Sequence, residues 1–335
     1  MVPQYISSRE EYPDRRDTPE PRRTLCAYGR SVRRRRPKQM EWAPHFFLLS
    51  VALPAVVALP TFEERLERFE APNPADTDWC RRAMQSGQTG PSKSKLGSQY
   101  GQDMTMFMNL FRDKEPMDPG TGFYKGFYVD SGANDFKALS NTFFFDKCLG
   151  WDGLCVEPNP VYHANHRAHR SCTLVPEIIA AQPGFYNFGF GGVMGSVRGA
   201  ESDVRTASQK TAANPLDVML LRANRTSLYV DFWSLDVEGF EMTVLGGIDF
   251  EKIHVDSILV EDFWLSNRAL DRLLTGNGFL KLRQMQIDSV WVNRRAVADL
   301  RPTYWESAHD GPGRWEHTIE FRDDMRKRGK LAKDL

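Results

Sequence analysis

Four acidic residues in this chain each end or follow a short apolar run; they are Asp130, Glu157, Asp236 and Glu261. The carboxyl ends of strands in an open α/β sheet line the crevice where ligands bind. A single acid in such a place is common at a solvated strand end. Four in succession predict a ligand site along one edge of a sheet.

The turn after the first of these strands indicates the class of ligand. It reads Val129-Asp130-Ser131-Gly132-Ala133-Asn134-Asp135, and a glycine there lets the backbone pass close to a bound group. Glu157, at the end of the next strand, is placed to accept hydrogen bonds from ribose hydroxyls. The turn lacks the three glycines of a dinucleotide fingerprint, and the chain has no G-x-x-x-x-G-K-[ST] phosphate loop.

The elements that must position these acids alternate along the chain. Further strands are predicted at 173–175, 229–235 and 257–260, and helices at 162–169, 215–221 and 267–274. A Gly-rich excursion is expected from 184 to 199, and the segments 279–282 and 289–292 predict a closing hairpin. This alternation predicts a mainly parallel sheet with helices on both faces.

Several motifs, in this order and spacing, resemble the FkbM-type methyltransferases from about residue 99 to 293. They are the turn at 129–135, Ser140-Asn141-Thr142, the run from Leu149 to Pro160, Arg170-Ser171-Cys172, and Ser234-Leu235-Asp236-Val237-Glu238-Gly239-Phe240-Glu241. The resemblance implies a class I methyltransferase (Rossmann-like) fold, doubly wound, with a mainly parallel seven-stranded sheet and an antiparallel closing hairpin. It also implies S-adenosylmethionine as the methyl donor and O-methylation of a hydroxyl on a glycan or other small product.

The same resemblance implies roles for individual residues. Asp130 and Gly132 would meet the methionine part of the cofactor, and Asn134 would form the turn beneath it. Glu157 would hold the ribose, and Glu177 would lie near the adenine. For an alcohol acceptor, Asp236 is the first candidate for the general base and Glu238 the second.

The next acid along, Glu241, would face the acceptor. An alternative for Glu238 and Glu241 is that they cap the helix after the fourth strand. No metal site is predicted, because no histidine lies near these acids in the sequence. His163, His166 and His169 recur every three residues and are interpreted as a solvated helix face.

Phe136 departs from the family pattern, which usually has a small residue, most often glycine, at this place. A phenylalanine there could crowd the cofactor or point away from it. The broad family also includes eukaryotic, membrane-anchored relatives such as Star-like trafficking proteins. The alternative function is therefore a non-catalytic, membrane-anchored trafficking or scaffold protein that uses the methyltransferase fold.

The composition is that of a globular protein with balanced charge. Lys and Arg together number 44, as do Asp and Glu, so the chain lacks the basic excess of a nucleic-acid-binding protein. An uncharged apolar run from 46 to 59 follows the arginines at 33–36. It fits a signal anchor, a cleaved signal peptide or a buried apolar segment. In the first of these three alternatives, the protein would associate with a membrane through residues 42–60.

Signal anchor and signal peptide would both send the rest of the chain to the secretory pathway, as a lumenal domain on the endoplasmic reticulum or Golgi membrane or as a secreted protein. Asn224-Arg225-Thr226 is a glycosylation sequon that is compatible with this location. The chain has five cysteines, at 26, 80, 148, 155 and 172. The last four would form two disulfides in an oxidising lumen or remain buried thiols in a cytosol.

These observations predict five regions. They are a disordered basic tail (1–39), a signal anchor or signal peptide (40–60), a linker or stalk (61–100), the methyltransferase domain (101–300) and a charged C-terminal appendage (301–335). The sequence leaves the oligomeric state open.

Overall fold

The computed structural model describes residues 59–89, 97–189, 196–198, 208–262, 265 and 267–297. The predicted basic tail, nearly all of the predicted signal segment and the C-terminal appendage lie outside these residues. Within the described part of the chain, no helix is both long enough and apolar enough to cross a membrane.

The strands are β1 (Phe127–Ser131), β2 (Asp152–Val156), β3 (Thr173–Val175), β4 (Ile178–Ile179), β5 (Gly184–Gly189), β6 (Ser196–Arg198), β7 (Ser208–Asn214), β8 (Tyr229–Leu235), β9 (His254–Glu261), β10 (Phe279–Met285) and β11 (Asp288–Asn293). The helices are α1 (Phe62–Arg68), α2 (Thr77–Ser86), α3 (Gln102–Met106), α4 (Phe143–Leu149), α5 (Pro160–His169), α6 (Leu216–Arg222), α7 (Glu241–Gly246), α8 (Asn267–Gly276) and α9 (Arg294–Val297). A π-helical turn, Phe107–Phe111, continues α3.

The main sheet has seven strands in the order β3-β2-β1-β8-β9-β11-β10. The strands from β3 to β9 run parallel, and β11 is antiparallel to both of its neighbours. All five residues of β1 are buried, as expected for a parallel strand covered on both faces. The predicted Rossmann-like fold with an antiparallel closing hairpin is confirmed.

Helices cover both faces of this sheet because successive strand residues point to opposite sides. Tyr128 and Phe232 pack into a cluster with residues of α1 to α4, whereas Val129 and Trp233 pack into a second cluster with residues of α6 to α8. The strands therefore separate two apolar layers, and their carboxyl ends remain available for a site.

The segment 61–100, predicted to be a linker or stalk, is instead part of the domain where it is described. A capping box of Thr61 and Glu64 begins α1, and α2 buries Cys80 and Met84 against the core. A disulfide joins Cys80 to Cys148 in α4. The prediction was wrong because the segment is polar overall, and the apolar residues that join the core, such as Leu66, Phe69 and Met84, are few.

The predicted Gly-rich excursion is also different in the structure. The chain there contributes to a second, four-stranded sheet in the order β4-β7-β5-β6. Pairing of β5 with β7 joins residues far apart in the sequence, so local pattern gave no signal for it. One buried residue of this sheet, Phe188, reaches the crevice beside the main sheet.

Candidate functional site

A cleft of about 340 Å³ lies along the carboxyl edge of the main sheet. Its size falls in the range of small-molecule sites. The predicted residues that line it are Asp130, Gly132, Asn134, Glu157, Glu177, Asp236 and Glu238. Glu241 is absent from the lining. The strand order determines the spatial order of the carboxylates along the cleft, from Glu157 beside β2 to Glu261 at the end of β9.

The turn after β1 ties three strand ends together. The Gly132 amide donates to the Val156 carbonyl at 3.0 Å, and the Asp236 amide donates to the Ser131 carbonyl at 3.0 Å. Gly132 has φ +78°, and a Cβ atom there would lie 1.8 Å from the Asp236 carbonyl oxygen. Only glycine fits at this position, so the turn can bring Asp130 and Asp236 to the same cleft.

Glu157 is buried and held by two backbone amides. Its Oε2 accepts from the Asn134 amide at 2.7 Å, and its Oε1 accepts from the Asn159 amide at 2.6 Å. Burial raises the pKa of this carboxyl to about 7, and the nearby charge of Asp130 adds to the effect. The carboxylate is thus rigidly placed, with its remaining lone pairs available at the cleft.

Two histidines of α5 fix the backbone around Glu157, contrary to the prediction of a solvated helix face. The His163 Nε2 lies 2.7 Å from the Glu157 carbonyl oxygen, and the His166 Nε2 lies 2.8 Å from the Asn134 carbonyl oxygen. A carbonyl oxygen can only accept, so each ring nitrogen donates. His166 is buried, and burial lowers its pKa.

Arg170 is buried behind the turn that follows β1, where it donates several hydrogen bonds. Its Nε donates to Asp146 at 2.8 Å, and its Nη2 donates both to the Tyr128 hydroxyl at 3.0 Å and to Thr142 Oγ1 at 2.7 Å. Thr142 Oγ1 in turn donates to Asp130 Oδ2. The arginine therefore positions Asp130 through Thr142, a role that its place in the motif did not reveal.

Phe136 does not line the cleft. Its ring stacks on His169, with the ring centroids 4.6 Å apart, and meets the edge of Phe143. Its carbonyl oxygen accepts from Arg170 at 3.0 Å. Of the two orientations considered from the sequence, the one that points away from the cofactor region is observed.

The cleft is apolar at the end beside β2 and β4. Val156, Pro158, Ile178, Ile179 and Phe188 line this end. Glu177 also lies there, but its carboxylate accepts from the Asn214 amide group at 2.7 Å and pairs with Arg222 at 3.0 Å. This end has the character of a slot for a flat, largely apolar group.

The opposite end, beside β8, β9 and β11, is acidic. Asp236, Glu238, Glu261 and Asp288 line it. Burial raises the pKa of Asp236 well above its usual range, and the charge of Glu261 raises it further. Burial likewise raises the pKa of Asp288 to about 7, while Gln102 donates to its Oδ2 at 2.7 Å.

Glu241 lies behind these acids, outside the cleft lining, and α7 has no side-chain cap hydrogen bond, so neither role considered from the sequence is seen. Instead, Glu241 holds the loop before α7. Its Oε1 accepts from the amides of Val237 at 2.9 Å and Gly239 at 3.1 Å. The side chain is 1% exposed. It supports the strained stretch at Glu238 and Gly239, whose φ angles are +54° and +93°.

Asn141 is a site residue that the predicted set omitted. Its Nδ2 donates to Ser234 Oγ at 3.1 Å, and its buried Oδ1 accepts no hydrogen bond from the described residues. It lines the cleft between the apolar and acidic ends. The only sequence signal was its place in the Ser140-Asn141-Thr142 motif.

Residues 130–281 match the family model described as the methyltransferase FkbM domain. The matched span contains every predicted site residue, and the sheet order places them along one cleft. This match assigns residues 130–281, just under half of the chain, to the FkbM methyltransferase domain family.

Two solved structures are similar to this chain at low identity. One is a precorrin-6y C5,15-methyltransferase from Geobacter metallireducens, 12% identical, with a TM-score of 0.29 over 61% of this chain and 91% of that one. The other is a methyltransferase FkbM from Methylobacillus flagellatus, 10% identical, with a TM-score of 0.32 over 69% of this chain and 57% of that one. The match thus spans little more than half of the second structure, and neither superposition carries an argument about function. Comparison with curated proteins gave no match.

Proposed function

We propose that this domain transfers a methyl group from S-adenosylmethionine to a hydroxyl on a glycan or another small acceptor. The observation that carries the proposal is the order of groups along the cleft. An apolar slot and Glu157 lie at one end, the Gly132 turn lies in the middle, and the carboxylates of Asp236 and Glu238 lie at the other end. A nucleoside, its charged linker and an acceptor need these surroundings in this order.

The residues present fit the cofactor. Glu157 would accept from the ribose hydroxyls, and the slot at Ile178 and Ile179 would take the adenine with Glu177 at its margin. Asp130, Gly132 and Asn134 would meet the methionine part. The unpartnered Oδ1 of Asn141 supplies a buried acceptor in the same region, which suits the amino group of the cofactor.

The chemistry is an in-line displacement, so positioning supplies much of the catalysis. When bound, the sulfonium supplies an electrophilic methyl group. A bound cofactor would give up its methyl group to the acceptor oxygen and leave as the thioether, and the hydroxyl proton would pass to a carboxylate of the acidic end. Asp236 is the first candidate for this base and Glu238 the second, because both line the acidic end and both have raised pKa values.

Titration of the full chain with S-adenosylmethionine by calorimetry tests the proposal. We expect saturable binding below millimolar ligand, and Asp130→Asn should weaken it by about tenfold or more, since a charge-assisted contact is lost. Asp236→Asn should leave the affinity nearly unchanged but lower transfer of labelled methyl to saccharide hydroxyls by about 10²–10⁴-fold.

Two results would contradict these assignments. Absence of binding at millimolar S-adenosylmethionine would refute the proposal that the domain is an S-adenosylmethionine-dependent enzyme. Loss of cofactor binding in Asp236→Asn but not in Asp130→Asn would reverse the two roles. The alternative of a non-catalytic trafficking protein rested on the predicted N-terminal anchor and on Phe136. The anchor lies almost entirely outside the described residues, and the Phe136 ring lies outside the cleft, so the altered turn does not favour this alternative.

We further propose that the domain folds in the secretory pathway, either membrane-associated through residues 42–60 or secreted. Disulfides join Cys80 to Cys148 and Cys155 to Cys172. Such crosslinks persist in oxidising compartments and are rare in the cytosol. This pair of disulfides supports the first of the two alternatives that the cysteine count left open.

Asn224 provides a test of that location. It is exposed and follows α6 in a turn, so an oligosaccharyltransferase could reach it. We expect the protein from secretory cells to shift in mass on treatment with an N-glycosidase, and the Asn224→Gln variant to lack the shift. Recovery of the cellular protein with all four paired cysteines as free thiols would contradict the location.

A further inference from the structure

Three carboxylates converge at the acidic end of the cleft. Asp236 follows β8, Glu241 begins α7 and Glu261 ends β9, and one oxygen from each lies within 4.8 Å of the others. Glu241 and Glu261 are 1% and 7% exposed. The cluster is built by three separate elements, so it is fixed by the fold rather than by one flexible loop.

Each of these side chains has a buried oxygen with no hydrogen-bond partner among the described residues. The atoms are Asp236 Oδ1, Glu241 Oε2 and Glu261 Oε2. Glu241 uses only its other oxygen to cap the loop. Within the described ranges, no Lys, Arg or His side chain forms an ion pair with any of the three. Asp236 and Glu261 also hydrogen-bond each other, but buried carboxylate oxygens that lack a counter-charge are costly, and no cationic side chain of the described residues compensates these three.

We propose that Asp236, Glu241 and Glu261 bind a divalent cation that prefers oxygen ligands, such as Mg²⁺, Mn²⁺ or Ca²⁺. An all-oxygen donor set selects these ions over zinc or copper. Two oxygens on opposite sides of a Ca²⁺ ion lie about 5 Å apart and those around Mg²⁺ about 3–4 Å apart, which the observed spread accommodates. The sequence predicted no metal because it lacked a nearby histidine, but hard cations do not need one.

The open side of the cluster is the cleft itself. Asp236 and Glu261 both line the cleft, whereas Glu241 closes the cluster from behind. A cation there would have free coordination positions that face the acceptor. If the proposed methyl transfer holds, Asp236 acts as a ligand, and Glu238, outside the three, is the carboxylate left to accept the proton.

Metal binding is tested on the full chain after removal of metals with a chelator. We expect Mn²⁺ alone to bind at one saturable site in electron paramagnetic resonance titrations and to raise the melting temperature. Asp236→Asn and Glu261→Gln should each weaken Mn²⁺ binding by about tenfold or more, because affinity follows the number of charged ligands. Glu177→Gln, a carboxylate at the other end that already pairs with Arg222, should change it less than about twofold.

The metal-free melting temperature separates a ligand role from a structural one. Neutralising Asp236 should leave the metal-free protein as stable as the wild type or more stable, while reducing the stabilisation by a given concentration of Mn²⁺. Absence of saturable Mn²⁺ binding up to millimolar concentration, or binding unchanged in both variants, would overturn the inference. Failure of Mn²⁺ to raise the melting temperature of the wild type would do the same.

S-adenosylmethionine binding to the metal-free protein is measured in parallel. Cofactor binding without Mn²⁺ binding would refute the metal site and leave the proposed function standing. Mn²⁺ binding without cofactor binding would refute the proposed function and support the metal site.

Discussion

Replacement of Arg170 by methionine is expected to lower the free energy of unfolding by about 3–5 kcal/mol, the usual cost of removing one partner of a buried ion pair. The guanidinium is fully buried and lies 2.8 Å from Asp146, which is itself 1% exposed. Without it, the Asp146 carboxylate and the Tyr128 hydroxyl lose a charged partner in the core. Urea denaturation of wild type and variant measures the difference.

Two further variants show whether charge is the cause. Arg170→Met combined with Asp146→Asn should recover part of the loss, because the uncompensated carboxylate is removed. Arg222→Met breaks an exposed pair with Glu177 and should cost at most about 1 kcal/mol. A loss below that value in Arg170→Met itself would show that the buried network does not stabilise the turn at Asp130.

The ligand-free, chelator-treated protein is expected to lose stability as the pH rises from about 5 to 8. Burial raises the pKa of Glu157 from 4.5 to about 7 in the folded state. Between these values the folded protein binds more protons than the unfolded chain, so the free energy of unfolding falls as the pH rises. A shift of this size corresponds to roughly 3 kcal/mol in the free energy of unfolding. This contribution is fully present below pH 4.5 and is lost once Glu157 has ionised in the folded protein.

Comparison of pH profiles isolates this contribution. Glu157→Gln cannot ionise, and its amide nitrogen would face the amide of Asn134 or Asn159, so its overall stability should be lower. Its stability should nevertheless fall less steeply between pH 5 and 8 than that of the wild type. Glu67→Gln, at an exposed position of α1, should keep the wild-type slope. Parallel wild-type and Glu157→Gln profiles would refute the role assigned to burial.

The parts of the fold that the sequence predicted are those with a strong local pattern. β8 and β3 were predicted with the observed bounds because each apolar stretch ends abruptly, β8 at Asp236 and β3 at Pro176. Four acids after such runs were enough to locate the cleft, since strand order brings carboxyl ends together. The placement of Asp130, Glu157 and Asp236 in one cleft followed from this rule.

What the sequence did not reveal depends on contacts between distant segments. β5 and β7 pair across a separation that no local periodicity encodes. His166 resembles its exposed neighbours in sequence, yet it turns inward because the Asn134 carbonyl needs a donor. The spacing of Glu238 and Glu241 cannot show that one faces the cleft and the other caps the loop behind it.

The two disulfides have a consequence for how the chain can be made. They close separate loops, with sequence separations of 68 and 17 residues, so their effects on the unfolded chain are nearly independent. Loop-closure entropy assigns them about 4 and about 3 kcal/mol, a sum comparable with the whole stability of many domains. In a reducing cytoplasm the disulfides would not form, and the higher conformational entropy of the unfolded chain would favour unfolding of the domain. The yield of soluble protein should therefore depend on the redox potential of the host compartment.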